Sequence, residues 1–445
     1  MELLHNGILV NEGTACRGYV VIDGDKIARV GTGDPDDMLR QRCTTLTDVE
    51  GAIVMPGVID DHVHFREPGL THKADIASES RAAVAGGVTS YLDMPNVKPT
   101  TTTIETLNDK MARAAQCSMA NYSFYMGATA DNIDMLKTLD YTRVCGVKAF
   151  LGSSTGGMLI DDTRALGRLF AEVPALIAVH CEDEGIIAAN RARLVAEHGD
   201  NLPVRYHQII RSREACVEST RRAIALARET GARLHVLHIS TADELALIGH
   251  DSNITAEACI GHLWFTSDDH SRLGYLIKVN PAIKNADDRV ALRKAVADGR
   301  IGVVGTDHAP HLPGEKEGNC LTAASGMPMI QFSLAAMLEM ANKGAWDVPT
   351  VVQRMCHTPA TLYGIDRRGF LREGYYADIA VVKNETYTIT NDCVLSKCAW
   401  TPLDGTTMHH RVAATYVNGK RVFHNGELSD TPAGMPLKFS ANQQR

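Results

Sequence analysis

The 445-residue chain is poor in aromatic residues, at 5%, and has no C-x-x-C pair and no long run of one charge. Without a basic patch there is no electrostatic footprint for nucleic acid. No apolar stretch is long enough to span a bilayer. Residues 1–7 lack the basic segment and apolar core of a signal peptide. The eleven cysteines are scattered and odd in number, which argues against a disulfide framework or a zinc ribbon. Reduced thiols in a cytoplasmic protein are expected instead. The remainder is 44% apolar and 22% charged, with net charge −8. That balance suits a globular enzyme with one large core and accessory parts.

Residues 1–52 read as short strands and turns, for example Tyr19-Val20-Val21-Ile22, an Asp-Gly turn, then Lys26-Ile27-Ala28-Arg29-Val30. Residues 366–445 repeat that pattern around Ala377-Asp378-Ile379-Ala380-Val381-Val382. The two flanks are expected to build one small β-sandwich. Between them, residues 53–365 alternate strand and helix patterns. Strands are expected at 58–65, 89–96, 122–128, 146–151, 175–181, 234–240, 253–258 and 301–308. The clearest helix covers 212–229, with Ser212 as its cap and Gly231 as its stop. This order predicts an α/β fold, a (β/α)8 TIM-like barrel. A doubly wound open sheet is the alternative, but no G-x-G-x-x-G follows the first strand, which counts against dinucleotide binding.

Barrel enzymes carry their chemistry at the C-terminal ends of the strands. Here those ends hold His62 and His64, Asp93-Met94-Pro95-Asn96, Lys148, His180, His238 and Asp307. One histidine beside an apolar strand is more often a hydrogen-bonded core residue than a ligand. Four histidines and an aspartate at one rim point to a metal centre. His62, His64 and Arg66 alternate, so on a strand they share a face. Arg66 then offers a planar fork to a carboxylate, or else pairs with Glu67 or Glu182. Lys148, inside Val147-Lys148-Ala149-Phe150, needs a partner if it is buried and charged. Either it pairs with Glu182 or Asp307, or its neutral amine adds carbon dioxide. The carbamate reading is preferred, because paired metals need a bridging anion.

Six motifs in order resemble the dihydroorotases of the amidohydrolase superfamily. They are H-x-H-x-R-x-P-G at 62–69, D-M-P-N at 93–96, V-K-x-F at 147–150, V-H-C-E at 179–182, L-H-I-S at 237–240 and G-T-D-H-A-P-H at 305–311. The resemblance implies an enzyme that interconverts N-carbamoyl-L-aspartate and L-dihydroorotate in pyrimidine biosynthesis. It implies two Zn2+ per subunit: His62, His64 and Asp307 on the more buried ion, His180 and His238 on the other. Carbamylated Lys148 and a hydroxide bridge them, and Asp307 acts as the catalytic base. Some members use an aspartate just after the fourth strand as the bridge. Here Gly152-Ser153-Ser154 follows, and Asp161 and Asp162 read as first-turn carboxylates of the next helix.

By the same resemblance Arg66, Asn96 and His311 bind the substrate carboxylate and Asn280 contacts the pyrimidine ring. Residues 152–157 are either a flap carrying a contact at Thr155 or a plain glycine-rich turn. Members often carry Pro-His-His where this chain has only His262, so His262 is left out of the site. His5, His72, His198 and His424 read as surface or local structure. The resemblance suggests a homodimer. Allantoinase and hydantoinase are the nearest rival readings, and a catalytically silent scaffold is the rival from another class. The intact ligand set argues against the scaffold.

Overall fold

Short runs of apolar and β-branched residues form the eight strands of a parallel barrel. The computed structural model describes residues 1–151, 158–160, 162–249 and 251–440. The strands are Val58–Val63, Val88–Asp93, Asn121–Phe124 with Met126–Gly127, Val147–Phe150, Ile177–His180, Leu234–Val236, Ile254–Cys259 and Val303–Gly305. The third strand is interrupted at Tyr125, where one parallel sheet passes into the next. A parallel bridge between Val63 and His308 joins the eighth strand to the first, so the ring closes. Strand residues such as Val147, Ala149, Ile177 and Val179 are buried, as expected of a sheet covered by helices outside and filled by side chains inside.

Local chemistry sets the helix ends. Helix Arg213–Thr230 starts at Ser212, whose hydroxyl accepts the amide of Ala215, and stops at Gly231 in the left-handed conformation. Asp162 caps Thr163–Glu172 by accepting the amide of Arg164, while Asp161 lies outside the described residues. Among the described residues, no helix is long and apolar enough to cross a membrane. The eleven cysteines are free thiols.

Both chain ends build a separate β domain, and its two parts join edge to edge. Ile53–Pro56 pairs in parallel with Glu2–Asn11 on one side and antiparallel with Ile379–Thr388 on the other. Backbone hydrogen bonds therefore run through one nine-stranded sheet. Leu4, Val20, Ile22, Val54, Ile379 and Val381 form its apolar core.

One buried ion pair links this scaffold to the chemistry. Lys110, fully buried on Ile104–Cys117, places its ammonium 2.6 Å from Asp93 Oδ2. Asp93 Oδ1 accepts the amide of Phe65 at 3.0 Å and so steadies the turn after the first strand. Removing one partner of such a pair costs about 3–5 kcal/mol, because the other charge stays buried and uncompensated. Lys110→Met is therefore expected to lose stability on that scale in urea unfolding. A loss under about 1 kcal/mol would mean that Asp93 is held by other contacts.

Candidate active site

A cavity of about 690 Å³ opens at the C-terminal ends of the strands. His62, His64, Arg66, Asn96, Lys148, His180, His238, Asn280, Asp307 and His311 all line it. Thr155 and the rest of residues 152–157 lie outside the described residues.

The first cluster brings three lone-pair donors together. His62 Nε2 lies 3.4 Å and His64 Nε2 3.0 Å from Asp307 Oδ1. Their other ring nitrogens are engaged: His62 Nδ1 sits 3.2 Å from Glu257 Oε2, and His64 Nδ1 sits 2.8 Å from Asn96 Oδ1. An oxygen acceptor draws the proton to Nδ1 and leaves the Nε2 lone pair facing Asp307. Burial pushes both imidazoles down to about 4, so they are neutral at pH 7. Burial alone would raise Asp307; protons carried by His62, His64 or Lys148 beside it act the other way and favour its ionised form. Two neutral imidazoles and a carboxylate converging in this way form a donor set suited to a divalent cation.

The second cluster repeats the logic. His180 Nε2 lies 2.9 Å from Glu182 Oε2, and Glu182 is ion-paired with Arg211. The His180 Nδ1 lone pair then faces His238 Nε2 at 2.9 Å. The His62 and His238 rings are 5.3 Å apart between centroids, so the two clusters are adjacent.

Lys148 is 1% exposed and lines the cavity with them. The alternative reading, a pair with Glu182 or Asp307, does not form: Glu182 is committed to His180 and Arg211, and Asp307 to His62 and His64. Among the described residues no ion pair or hydrogen bond holds its ammonium, which lies 4.7 Å from the Phe150 ring. Burial pushes its pKa down to about 8, so about a tenth is neutral amine at pH 7, far more than for an ordinary lysine.

Arg66 reaches the cavity by a route the alternation rule does not describe. The first strand ends at Val63, and Arg66 has φ 67°, in the left-handed region. His238 at 39° and Asp307 at 48° are left-handed too. Such backbone is unfavourable for non-glycine residues and collects at functional sites. The guanidinium is buried, with Nε donating to Pro310 O at 3.2 Å and Nη2 3.1 Å from His311 Nε2. The possible partners Glu67 and Glu182 instead pair with Arg113 and Arg211. Among the described residues no carboxylate is paired with Arg66.

Asn280 lines the cavity with its side-chain oxygen unpartnered among the described residues. His262 is buried with Nε2 3.0 Å from Pro281 O and does not line the cavity. His72, His198 and His424 are exposed, and His5 is half-buried. Sequence reasoning missed Glu257. An acid inside the apolar stretch Ala256-Glu257-Ala258 carries the same signal that singled out Lys148.

Residues 53–422 match the amidohydrolase family. A dihydroorotase of Halobacterium salinarum is 34% identical over 92% of this chain and 94% of its own. An allantoinase of Bacillus velezensis is 31% identical over 94% of this chain and 92% of its own. The solved structure of an L-hydantoinase (dihydropyrimidinase) from Arthrobacter aurescens superposes with TM-score 0.92 at 26% identity, covering 98% of this chain and 99% of that one.

Proposed function

Since the chain belongs to the amidohydrolase family, we propose that it is a dihydroorotase, closing N-carbamoyl-L-aspartate to L-dihydroorotate and reversing that step in pyrimidine biosynthesis. Arg66 carries this choice of substrate. A buried guanidinium that no carboxylate pairs with among the described residues, beside the two histidine clusters, suits a substrate that brings its own carboxylate.

The donor set fits two metal ions. His62, His64 and Asp307 would hold one and His180 and His238 the other, with carbamylated Lys148 bridging them. Two zinc ions there would supply hydroxide near neutral pH and polarise the amide carbonyl. The chain's own residues do the rest. The neutral Lys148 amine adds carbon dioxide and loses a proton. Asp307 takes the proton of the attacking oxygen and delivers it to the departing ring nitrogen. Arg66, Asn96 and His311 hold the substrate carboxylate, and Asn280 meets the ring. The protein works as a cytoplasmic homodimer on this small molecule, without nucleic acid or membrane.

The competing reading is an allantoinase or hydantoinase, because allantoinase relatives match at comparable identity. Allantoin and hydantoin carry no carboxylate and would leave Arg66 uncompensated. A silent scaffold would not need the donor set that lines the cavity.

The deciding assay is ultraviolet-monitored opening of L-dihydroorotate, with allantoin and hydantoin in parallel. Turnover of dihydroorotate is expected, abolished by a chelator and restored by zinc with bicarbonate. Turnover of allantoin but not dihydroorotate by fully metallated protein would give the site to the competing reading.

A further inference from the structure

The His311 ring sits among two donors and two acceptors whose distances favour one protonation. Lys73 Nζ lies 3.1 Å from His311 Nδ1 and 3.0 Å from Glu315 Oε1. Glu315 Oε2 is 3.4 Å from the same Nδ1. On the other side of the ring, His311 Nε2 is 3.1 Å from both Arg66 Nη2 and Ser325 O. An ammonium and a guanidinium can only donate, and a carbonyl can only accept.

With the proton on Nδ1, that N–H faces the Lys73 ammonium and the bare Nε2 faces the Ser325 carbonyl, which makes two mismatches. With the proton on Nε2, Lys73 donates to Nδ1 and Nε2–H donates to Ser325. The contact with Arg66 and the longer one with Glu315, at 3.4 Å, are then mismatched, whereas both mismatches of the other form fall at 3.1 Å, so the Nε2–H form is favoured. A doubly protonated ring would face both cations. Burial, Arg66, Lys73 and Lys316 all oppose that form and push its pKa far down.

The favoured tautomer leaves an N–H of Arg66 facing the Nε2–H of His311, whose proton the Ser325 carbonyl accepts from one side. Two converging donors make an anion receptor, and a carboxylate oxygen relieves the mismatch by accepting from Arg66 and sharing the Nε2–H with Ser325 O.

We propose that Lys73 is a positioning residue: by donating to Nδ1 it fixes His311 as the neutral Nε2–H tautomer, so that Arg66 and His311 together bind the substrate carboxylate. The inference rests on the dihydroorotase reading and extends it to a residue that does not touch the substrate. Lys73 is 7% exposed and is absent from the cavity lining, so it acts through the ring. Without Lys73 the proton moves to Nδ1, toward Glu315. Arg66 then donates to the bare Nε2, and the receptor closes on itself.

The test is a double-mutant cycle on L-dihydroorotate with metal content measured throughout, using Lys73→Met, His311→Ala and the pair. Lys73→Met is expected to raise KM by about tenfold or more, the scale of one buried charge-assisted hydrogen bond, with kcat within about twofold and metal content unchanged. In the His311→Ala background the same substitution is expected to cost nothing further, because a residue acting only through His311 is fully coupled to it. Lys73→Arg, which keeps a donor, is expected to recover most of the loss. Lys73→Ser replaces Met if that variant fails to fold. Additive losses, an unchanged KM, or a fall in kcat and metal content with KM unmoved would each overturn the proposal while leaving the dihydroorotase reading intact. Absence of dihydroorotate turnover in the unmodified enzyme would overturn both.

Discussion

Asp307→Asn is expected to lower kcat for dihydroorotate opening by about 10²–10⁴-fold, the range for loss of a positioned acid–base group. The substitution keeps size and shape, and its amide oxygen can still face His62 and His64. What it removes is a basic site for the proton. Asp307 holds a carboxylate 3.0 Å from His64 Nε2 and 3.4 Å from His62 Nε2, at the point where the two imidazole lone pairs converge. A neutral amide there also weakens any cation held by those nitrogens. Rate and metal content must therefore be measured on the same sample. If kcat stays within about tenfold of the unmodified enzyme at full metal content, the proton goes elsewhere and the role given to Asp307 fails.

Arg66→Met is expected to lower kcat/KM for dihydroorotate by about 10²–10³-fold, the cost of truncating one partner of a buried charge pair. The same variant is expected to be no less stable than the unmodified protein, and even slightly more so. Arg66 is buried and lacks a paired carboxylate among the described residues, so removing it takes away a desolvated charge that Asp307 and Asp93 offset only from a distance. Opposite movements of activity and stability are the mark of a group kept for binding at a cost to the fold. Steady-state kinetics and urea unfolding on one preparation check both arms. Undiminished turnover would mean that the carboxylate is held without Arg66. Turnover of allantoin or hydantoin should not fall in parallel, since neither brings a carboxylate to the guanidinium.

These expectations draw on different levels of information. The eight strands, the capped helix Arg213–Thr230 and the β character of both chain ends were legible in the sequence. So was the placing of four histidines, Lys148 and Asp307 at strand ends. All of these follow from neighbours within a few residues: apolar runs, alternation, a serine before a helix and a glycine after it. The observed strands are shorter, which puts His238 and Asp307 just past their ends in left-handed backbone.

Tertiary structure alone decided the rest. Arg66 enters the cavity through a left-handed turn steadied by Asp93, not through strand alternation. Its contact with His311 spans 245 positions of the chain, and that between Lys73 and His311 spans 238. Such meetings depend on closure of the barrel between Val63 and His308, which no local pattern encodes. By itself the sequence determined which chemical groups the strands carry to one rim. Which nitrogen of each histidine keeps its proton, and which buried charges go unpaired, was decided by the distant residues packed against them, because hydrogen bonds and burial act through space and not along the chain.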